Sequence, residues 1–538
     1  MPQADDGVFD YIICGAGSAG CVLANRLSAD PGNRVLLLEG GGSDNWIWLH
    51  IPAGYLFAIG NPRSDWMFKT AAEPGLNGRS LPYPRGRVLG GCSAINAMIY
   101  MRGQARDYDG WRQQGLAGWG WDDVLPYFLK HEDHEAPPNE FHSSGGEWHV
   151  EHPRIKWEVL ERLRDAAEEA GIEKIDDFNS GDNTGSSHFQ VNQKRGRRWS
   201  AARGFLKPVL SRPNLKVVTG ALVDRVELRD GRAIAVRYRL GGETRLAEAR
   251  GEILLSTGAV ASPAILERSG IGDPSLLKAN GVEPLVDLPG VGNNLQDHLQ
   301  IRPVYKVNGV RTLNTDYANL FRRSMMLVNY ALRRRGPLAM APSQMGAFVR
   351  SSPEYETANL QFHFQPLSLD NWGEGLHPFD AITASVCNLR PTSRGSIHLS
   401  GPDAASAPDI RPNYLATDVD RQVAVDSLKW TRRIVSQPAM AAFNPQEHRP
   451  GAHIVSDEDL LVAAGELGTT IFHPVSTARM GPDGDRFAVT DERLRVRGIG
   501  GLRVIDASIM PTIVSGNTSS PTVMIAEKGA AMILEDAR

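Results

Sequence analysis

The apolar run Phe9-Asp10-Tyr11-Ile12-Ile13-Cys14 has the length and content of a buried strand, and residues 21–27 repeat apolar positions at helical spacing. Between them lies Gly15-Ala16-Gly17-Ser18-Ala19-Gly20, and a second apolar run, 34–38, ends at Glu39. In the middle of the chain, 216–219, 223–228, 233–239 and 244–249 are predicted strands of a β-meander, with Asp230-Gly231 and Gly241-Gly242 as hairpin turns. The meander feeds a buried strand at 252–256. Ser262-Pro263 then predicts a helix with Ser262 as N-cap and Pro263 in the first turn. The same pattern, Ser520-Pro521, opens a predicted helix from Thr522 to about Leu534, behind a strand at 502–505 that ends in Asp506. From about Gln300 to Gly468 the texture changes: 361–364 and 381–386 read as strands of an antiparallel sheet with helices over it. Arg333-Arg334-Arg335 reads as the solvated end of an amphipathic helix and not as a lipid or nucleic-acid patch.

This pattern predicts an α/β fold, and its first glycine cluster carries chemistry. Gly15 permits a tight turn, Gly17 lets backbone approach a pyrophosphate, and Gly20 lets helix pack on strand, while the N–H groups of the helix start at Ser18 and Ala19 face the phosphates. Glu39 lies where a ribose diol is held, 19 residues past Gly20. The motif does not separate NAD from FAD. The stretch from Glu39 to about Glu73 is an early, loop-rich insertion of the sort that carries function. A strand, an acid and a capped helix recur at the C-terminus, so both chain ends can hold one long cofactor, which favours FAD; alternatively the C-terminal unit is a separate domain.

Composition narrows the partners. The 62 acidic and 58 basic side chains leave a net charge of −4, no electrostatic footprint for nucleic acid or an anionic membrane, so a small molecule is the expected partner. Four cysteines without a CxxC pair argue against a disulfide framework or a structural zinc, and no metal site is expected. The first residues lack the features of an export signal and no apolar run reaches about 18 residues, so a cytoplasmic protein without a membrane span is expected. The 538 residues equal roughly three domains, and the 55 glycines exceed the usual share of about 7%.

Several of those glycines fall in longer patterns: 86–96 (GRVLGGCSAIN) with Arg102 beyond; 257–266 (TGAVASPAIL) ending at Gly270 and Gly272; 288–298 (LPGVGNNLQDH); Phe472-His473-Pro474 with Arg479; and 504–508 through Asn517 to Pro521. Together they resemble the signatures of the glucose-methanol-choline (GMC) oxidoreductases. The resemblance implies a discontinuous FAD-binding domain, Rossmann-like with a β-meander, over 7–155, 210–300 and 468–538, and an antiparallel-sheet substrate domain over 156–209 and 301–467. It implies oxidation of a primary alcohol by hydride transfer to flavin, which dioxygen or another electron acceptor then reoxidises.

By the same resemblance, Gly15, Gly17, Ser18, Ala19 and Gly20 take the pyrophosphate and Glu39 the ribose. Arg87, Leu89, Gly90, Gly91, Asn96 and Ala97 run along the flavin, Val223 lies near the adenine, and Thr257, Gly258, Asp506, Ala507, Asn517 and Thr518 approach the rest of FAD. His473 is the implied base, at a pKa suited to neutral pH. Asn517 stands where many relatives carry a second histidine; an amide cannot take the proton but can donate a hydrogen bond to the substrate oxygen. Phe472, Trp372 and His363 are candidate pocket residues. Some choline-oxidising relatives attach FAD through a histidine just before the asparagine of the first signature; that position is Ile95 here, so FAD is expected to be non-covalent. Two other readings stay open: a choline-type dehydrogenase passing electrons to a membrane acceptor, which would make the protein peripheral to a membrane, and a cyanohydrin lyase whose FAD is never reduced. The sequence carries no sign of an oligomeric state.

Overall fold

The computed structural model describes residues 4–370 and 375–538. Strands β1 (Ala4–Cys14), β2 (Val35–Glu39), β3 (Leu215–Thr219), β4 (Leu222–Arg229), β5 (Arg232–Leu240) and β6 (Glu243–Leu255) form a sheet in the order β3-β2-β1-β6-β5-β4. The strand Leu502–Val504 joins it alongside β6. The β1, β2, β3 and β6 pairings are parallel and β4-β5-β6 is an antiparallel meander. Strands buried on both faces read as unbroken apolar runs, as Ile12, Ile13 and Leu36 to Leu38 do, all at 0% exposure. Helix α1 (Ser18–Leu27) crosses back over β1 and is buried along most of its length.

Four expectations are corrected. β3 does not head the meander but lies parallel to β2, Leu215 opposite Val35 and Thr219 opposite Glu39. Alternation along a strand does not encode its partner, and Gly220, at φ +73°, turns the chain away from a hairpin. The strands expected at 244–249 and 252–256 are one, because Gly251 is not a break: a Cβ there would lie 2.3 Å from Asp10 O, so the residue marks a close approach of two backbones. Helix α2 (Gly258–Arg268) begins ahead of Ser262, leaving Pro263 inside it. The missing Pro263 N–H would have bonded to Ala259 O; the Thr477 hydroxyl donates there instead, at 2.7 Å. The C-terminal helix likewise starts at Ser519, with Pro521 in its first turn, where an N–H has no helical partner.

The second sheet is antiparallel, with β7 (Met345–Val349), β8 (Leu360–Gln365) and β9 (Ala381–Asn388) at its centre. Gly185–His188 pairs with β7, and Val304–Lys306 and Gln446–Arg449 continue the sheet beyond β9. Leu299–Ile301 pairs both with β9 and with Gly468–Thr470, so the segment ends expected at 300 and 468 fall within strands of this sheet. Alternation sorts β8 cleanly. Phe362 and Phe364 enter an apolar core under helices Glu158–Glu169 and Asp418–Val435, while His363 and Gln365 face a cavity between the two sheets. No helix among the described residues is long and apolar enough to cross a membrane.

Candidate active site

A cavity of about 320 Å³ runs from the C-terminal ends of β1, β2 and β6 to the polar face of β8. At its first end the backbone forms a cradle. Gly15 sits at φ +97°, and a Cβ there would lie 2.6 Å from Ser256 O; at Gly20 a Cβ would lie 1.8 Å from Gly15 O, and at Gly91 2.7 Å from Gly17 Cα. Only glycine allows these approaches. Glu39 Oε2 accepts from Ala16 N (2.9 Å) and Oε1 from Gly41 N (2.8 Å). Burial pushes its carboxyl up to about 7, against the pull of those N–H groups. Asp506 joins the chain ends: its carboxylate accepts from Gly258 N, the Ser262 hydroxyl and both the N–H and hydroxyl of Ser508. Ser262 therefore binds Asp506 instead of capping a helix. Ser256 and Ser519 line the cavity with buried hydroxyls that have no hydrogen-bond partner among the described residues. The glycine cradle, the helix start and these hydroxyls fit a dinucleotide.

The far end is built from a chain of side chains. His298 Nε2 lies 3.1 Å from Leu389 O, its Nδ1 lies 3.1 Å from His473 Nδ1, and His473 Nε2 lies 3.1 Å from Asn517 Nδ2. A carbonyl only accepts, so His298 Nε2 carries the proton and its Nδ1 accepts from His473 Nδ1–H. That leaves the lone pair of His473 on Nε2, facing Asn517, whose Oδ1 accepts from Gln361 Nε2 at 3.2 Å. Burial holds the pKa of His473 well below its usual value, with the neighbouring His298, His363 and Arg85 acting in the same direction; the base is neutral at pH 7. Its backbone is also held: His473 N donates to Asp297 Oδ1 (2.8 Å), and Tyr83, Tyr414 and Thr470 donate to Asp297 Oδ2. The preceding Phe472 takes φ +71°, a strained value for an aromatic residue, and is pinned by Thr470 Oγ1 on its N–H (2.8 Å) and Arg85 on its carbonyl (3.0 Å).

Of the residues singled out from sequence, Gly15, Gly17, Ser18, Ala19, Glu39, Gly91, Asn96, Ala97, Val223, Thr257, Gly258, Asp506, Ala507, Asn517 and Thr518 line this cavity, as do Phe472, His473 and His363. Gly20, Arg87, Leu89 and Gly90 do not line it. Gly20 sits under the turn, Gly90 N donates to Ala16 O, Arg87 lies over the Trp66 ring at 4.9 Å, and Leu89 is packed in the core of the first sheet. Trp372 lies outside the described residues. Sequence reasoning missed the parts played by Asp297, His298, Gln361 and Arg302. Arg302 lines the cavity near His363, and burial lowers it only to about 10, so it stays cationic. Among the described lining residues the carboxylates are Glu39 and Asp506, both engaged at the cradle end.

A dinucleotide cradle opening onto a buried, neutral histidine paired with an amide defines a cofactor-dependent oxidoreductase. Comparison with known proteins narrows this: residues 9–300 and 391–526 match the N- and C-terminal models of the GMC oxidoreductases, and the chain belongs to that family. It is 40% identical to "Alcohol dehydrogenase [acceptor]" of Pseudomonas putida over 98% of this chain and 96% of the relative. It is 38% identical to the oxygen-dependent choline dehydrogenase of Vibrio vulnificus, over 98% of this chain and 94% of that one. Among solved structures, an FAD-dependent oxidoreductase from Chaetomium thermophilum superposes with a TM-score of 0.90 at 27% identity, over 98% of this chain and 100% of the other. The protein is thus an enzyme acting on CH–OH donors, with FAD as cofactor.

Proposed function

We propose that the protein oxidises a neutral primary alcohol to the aldehyde, with His473 as the base, Asn517 as the donor to the substrate oxygen and FAD held without a covalent bond. The observation that carries this is the fixed tautomer of His473: Nε2 presents a lone pair at the cavity, where a hydroxyl takes the place of the Asn517 amide as its donor. His473 then receives the O–H proton, and Asn517 Nδ2–H, freed from His473, stabilises the charge developing on oxygen. Bound FAD supplies the acceptor for the hydrogen that leaves carbon. Gly15 to Ala19, Glu39 and the turn at Thr257-Gly258 would hold its nucleotide portion, and Gly91, Asn96 and Ala97 the flavin. Ile95, 4% exposed and packed among Leu49, Ala58, Val88 and Ala94, offers no nucleophile for a covalent bond.

Arg302 favours a neutral alcohol over choline, because a quaternary ammonium near His363 would meet a buried guanidinium and no carboxylate among the described residues of that wall. The test is anaerobic flavin bleaching by linear, benzylic and quaternary-ammonium alcohols, followed by admission of air and a peroxide assay. Neutral alcohols should bleach the flavin at least tenfold faster than choline, and His473→Ala should slow bleaching by a factor on the order of 10³ or more with flavin retained. Bleaching led by choline, or by no alcohol at all, refutes the reading. Yellow colour that stays with acid-precipitated protein refutes non-covalent binding.

A further inference from the structure

Helix α3 (Leu320–Arg333) is inside out. A surface helix ordinarily turns its apolar stripe to the core. Here Leu320, Phe321, Met325, Leu327, Val328 and Leu332 share one arc, about 160° wide at 100° per residue, and all are exposed, Phe321 at 76% and Leu332 at 78%. The opposite arc meets the protein: Tyr330, the one buried residue of the helix, donates to Gly196 O at 3.0 Å, and Met326 is half-buried. The margins are basic. Arg322 and Arg333 flank the buried seam on one side and Arg323 on the other, Arg334 and Arg335 follow directly, and the helix contains no acidic residue. The arginine run is therefore the end of a helix whose apolar side is the solvated one.

The apolar surface adjoins the cavity. The turn after α3, Pro337–Ala339, packs against the turn Pro52–Gly54, and the chain continues from each into cavity-lining residues, Pro342 and Ser343 from one, Tyr55 and Ile59 from the other. The second segment also carries exposed apolar side chains, Ile47 at 62% and Phe57 at 44%. An exposed apolar helix arc bordered by arginines, next to the wall of a cavity, is a docking face.

We propose that α3 lies in the plane of an anionic lipid bilayer, its apolar arc at the acyl boundary and its arginines reaching to the phosphates. Charge selects this occupant. A second copy docked face to face through α3 would bring two net-cationic helices together: Asp316 pairs with both Arg322 and Arg311, and no carboxylate among the described residues pairs with Arg323, Arg333, Arg334 or Arg335. An anionic lipid surface neutralises the same charges. At about 21 Å for 14 residues the helix is too short to span, and it remains attached to the protein through Tyr330.

The test is flotation of the full-length holoenzyme with vesicles of phosphatidylcholine alone and of phosphatidylcholine with 30% phosphatidylglycerol, at low and high salt. The enzyme should float with the anionic vesicles, at least tenfold more strongly than with neutral ones, and be released by salt on the order of 0.5 M. The variant Phe321→Glu/Leu332→Glu, changed only at exposed positions, should lose at least tenfold in vesicle binding and keep its solution rate of alcohol-dependent bleaching. Flotation undiminished in that variant, equal binding to neutral vesicles, or no flotation overturns the proposal. A dimer in sedimentation that the same variant dissolves overturns it in favour of a second copy.

Discussion

Replacing His298 tests the tautomer argument most sharply, because this side chain faces His473 and not the substrate. In His298→Phe the ring volume is kept, but the His473 Nδ1–H loses its acceptor 3.1 Å away and Leu389 O loses its donor. His473 is 7% exposed and His298 fully buried, so water does not readily replace either bond. A buried donor left unpaired costs about 1–3 kcal/mol. His473 escapes that cost by moving its proton to Nε2, where it can no longer act as base. A tautomer bias of about 1.4–2.8 kcal/mol removed in this way lowers the competent fraction roughly ten- to hundredfold. The assay is stopped-flow anaerobic reduction by a good alcohol substrate, with flavin content and melting temperature recorded alongside. His298→Gln keeps both an acceptor and a donor, and should recover most of the rate. The effect should fall on the limiting reduction rate and little on the apparent affinity for alcohol. A His298→Phe enzyme that retains flavin and reduces it within threefold of the parent rate refutes the reasoning.

Three further outcomes follow from the packing and the buried histidines. Gly20→Ala places a Cβ 1.8 Å from Gly15 O and must push α1 off β1, so flavin binding should be lost and the melting temperature should fall by the equivalent of about 1–3 kcal/mol; a flavin-loaded variant of parental stability would contradict it. Thr477→Val removes the hydroxyl that replaces the missing Pro263 bond at Ala259 O and should cost about 1–2 kcal/mol in denaturant unfolding, whereas Thr477→Ser should cost less. Burial keeps His298 down to about 4, His363 down to about 3 and His473 well below 6.5, so the unfolded chain binds more protons than the native one as pH falls through 6.5. His131, fully buried and likewise held down to about 4 by burial, adds to them; stability is therefore full above pH 6.5 and declines below it, by about 1 kcal/mol per histidine, or about 4 kcal/mol for the four, between pH 6.5 and 5.5. His142, held up to about 9 chiefly by its bonds to Asp177 and Glu132 against burial, works the other way by a few tenths of a kcal/mol over that window. Unfolding midpoints that are equal at the two pH values would show that these rings are charged in the native state.

The parts of the site that could be read from sequence are those in which one segment does the whole task. The strand, turn and helix from Phe9 to Leu27 carry their fold and most of their anion-binding geometry locally: Gly20 answers a contact with Gly15 within the same turn, although Gly15 itself answers one with Ser256 at the end of β6. The antiparallel sheet was legible for a similar reason: β8 alternates Phe362 and Phe364 with His363 and Gln365, and that alternation assigns the two faces. Legibility ends where function depends on pairing between distant strands. His298 meets His473 only because Leu299 pairs with Thr470 and Ile301 with Gly468, a register set by the whole second sheet. No spacing within 288–298 or 468–474 announces it. Pro263 is misleading for the same reason, because the hydroxyl that makes it tolerable inside a helix arrives from residue 477. The base could be named from its own segment, but the groups that decide which nitrogen of that base holds the proton, and which charge faces the substrate, come from Leu389, Asn517 and Arg302. These converge only when both sheets close on the cavity, so the identity of the reacting residue is local information and its protonation state is tertiary.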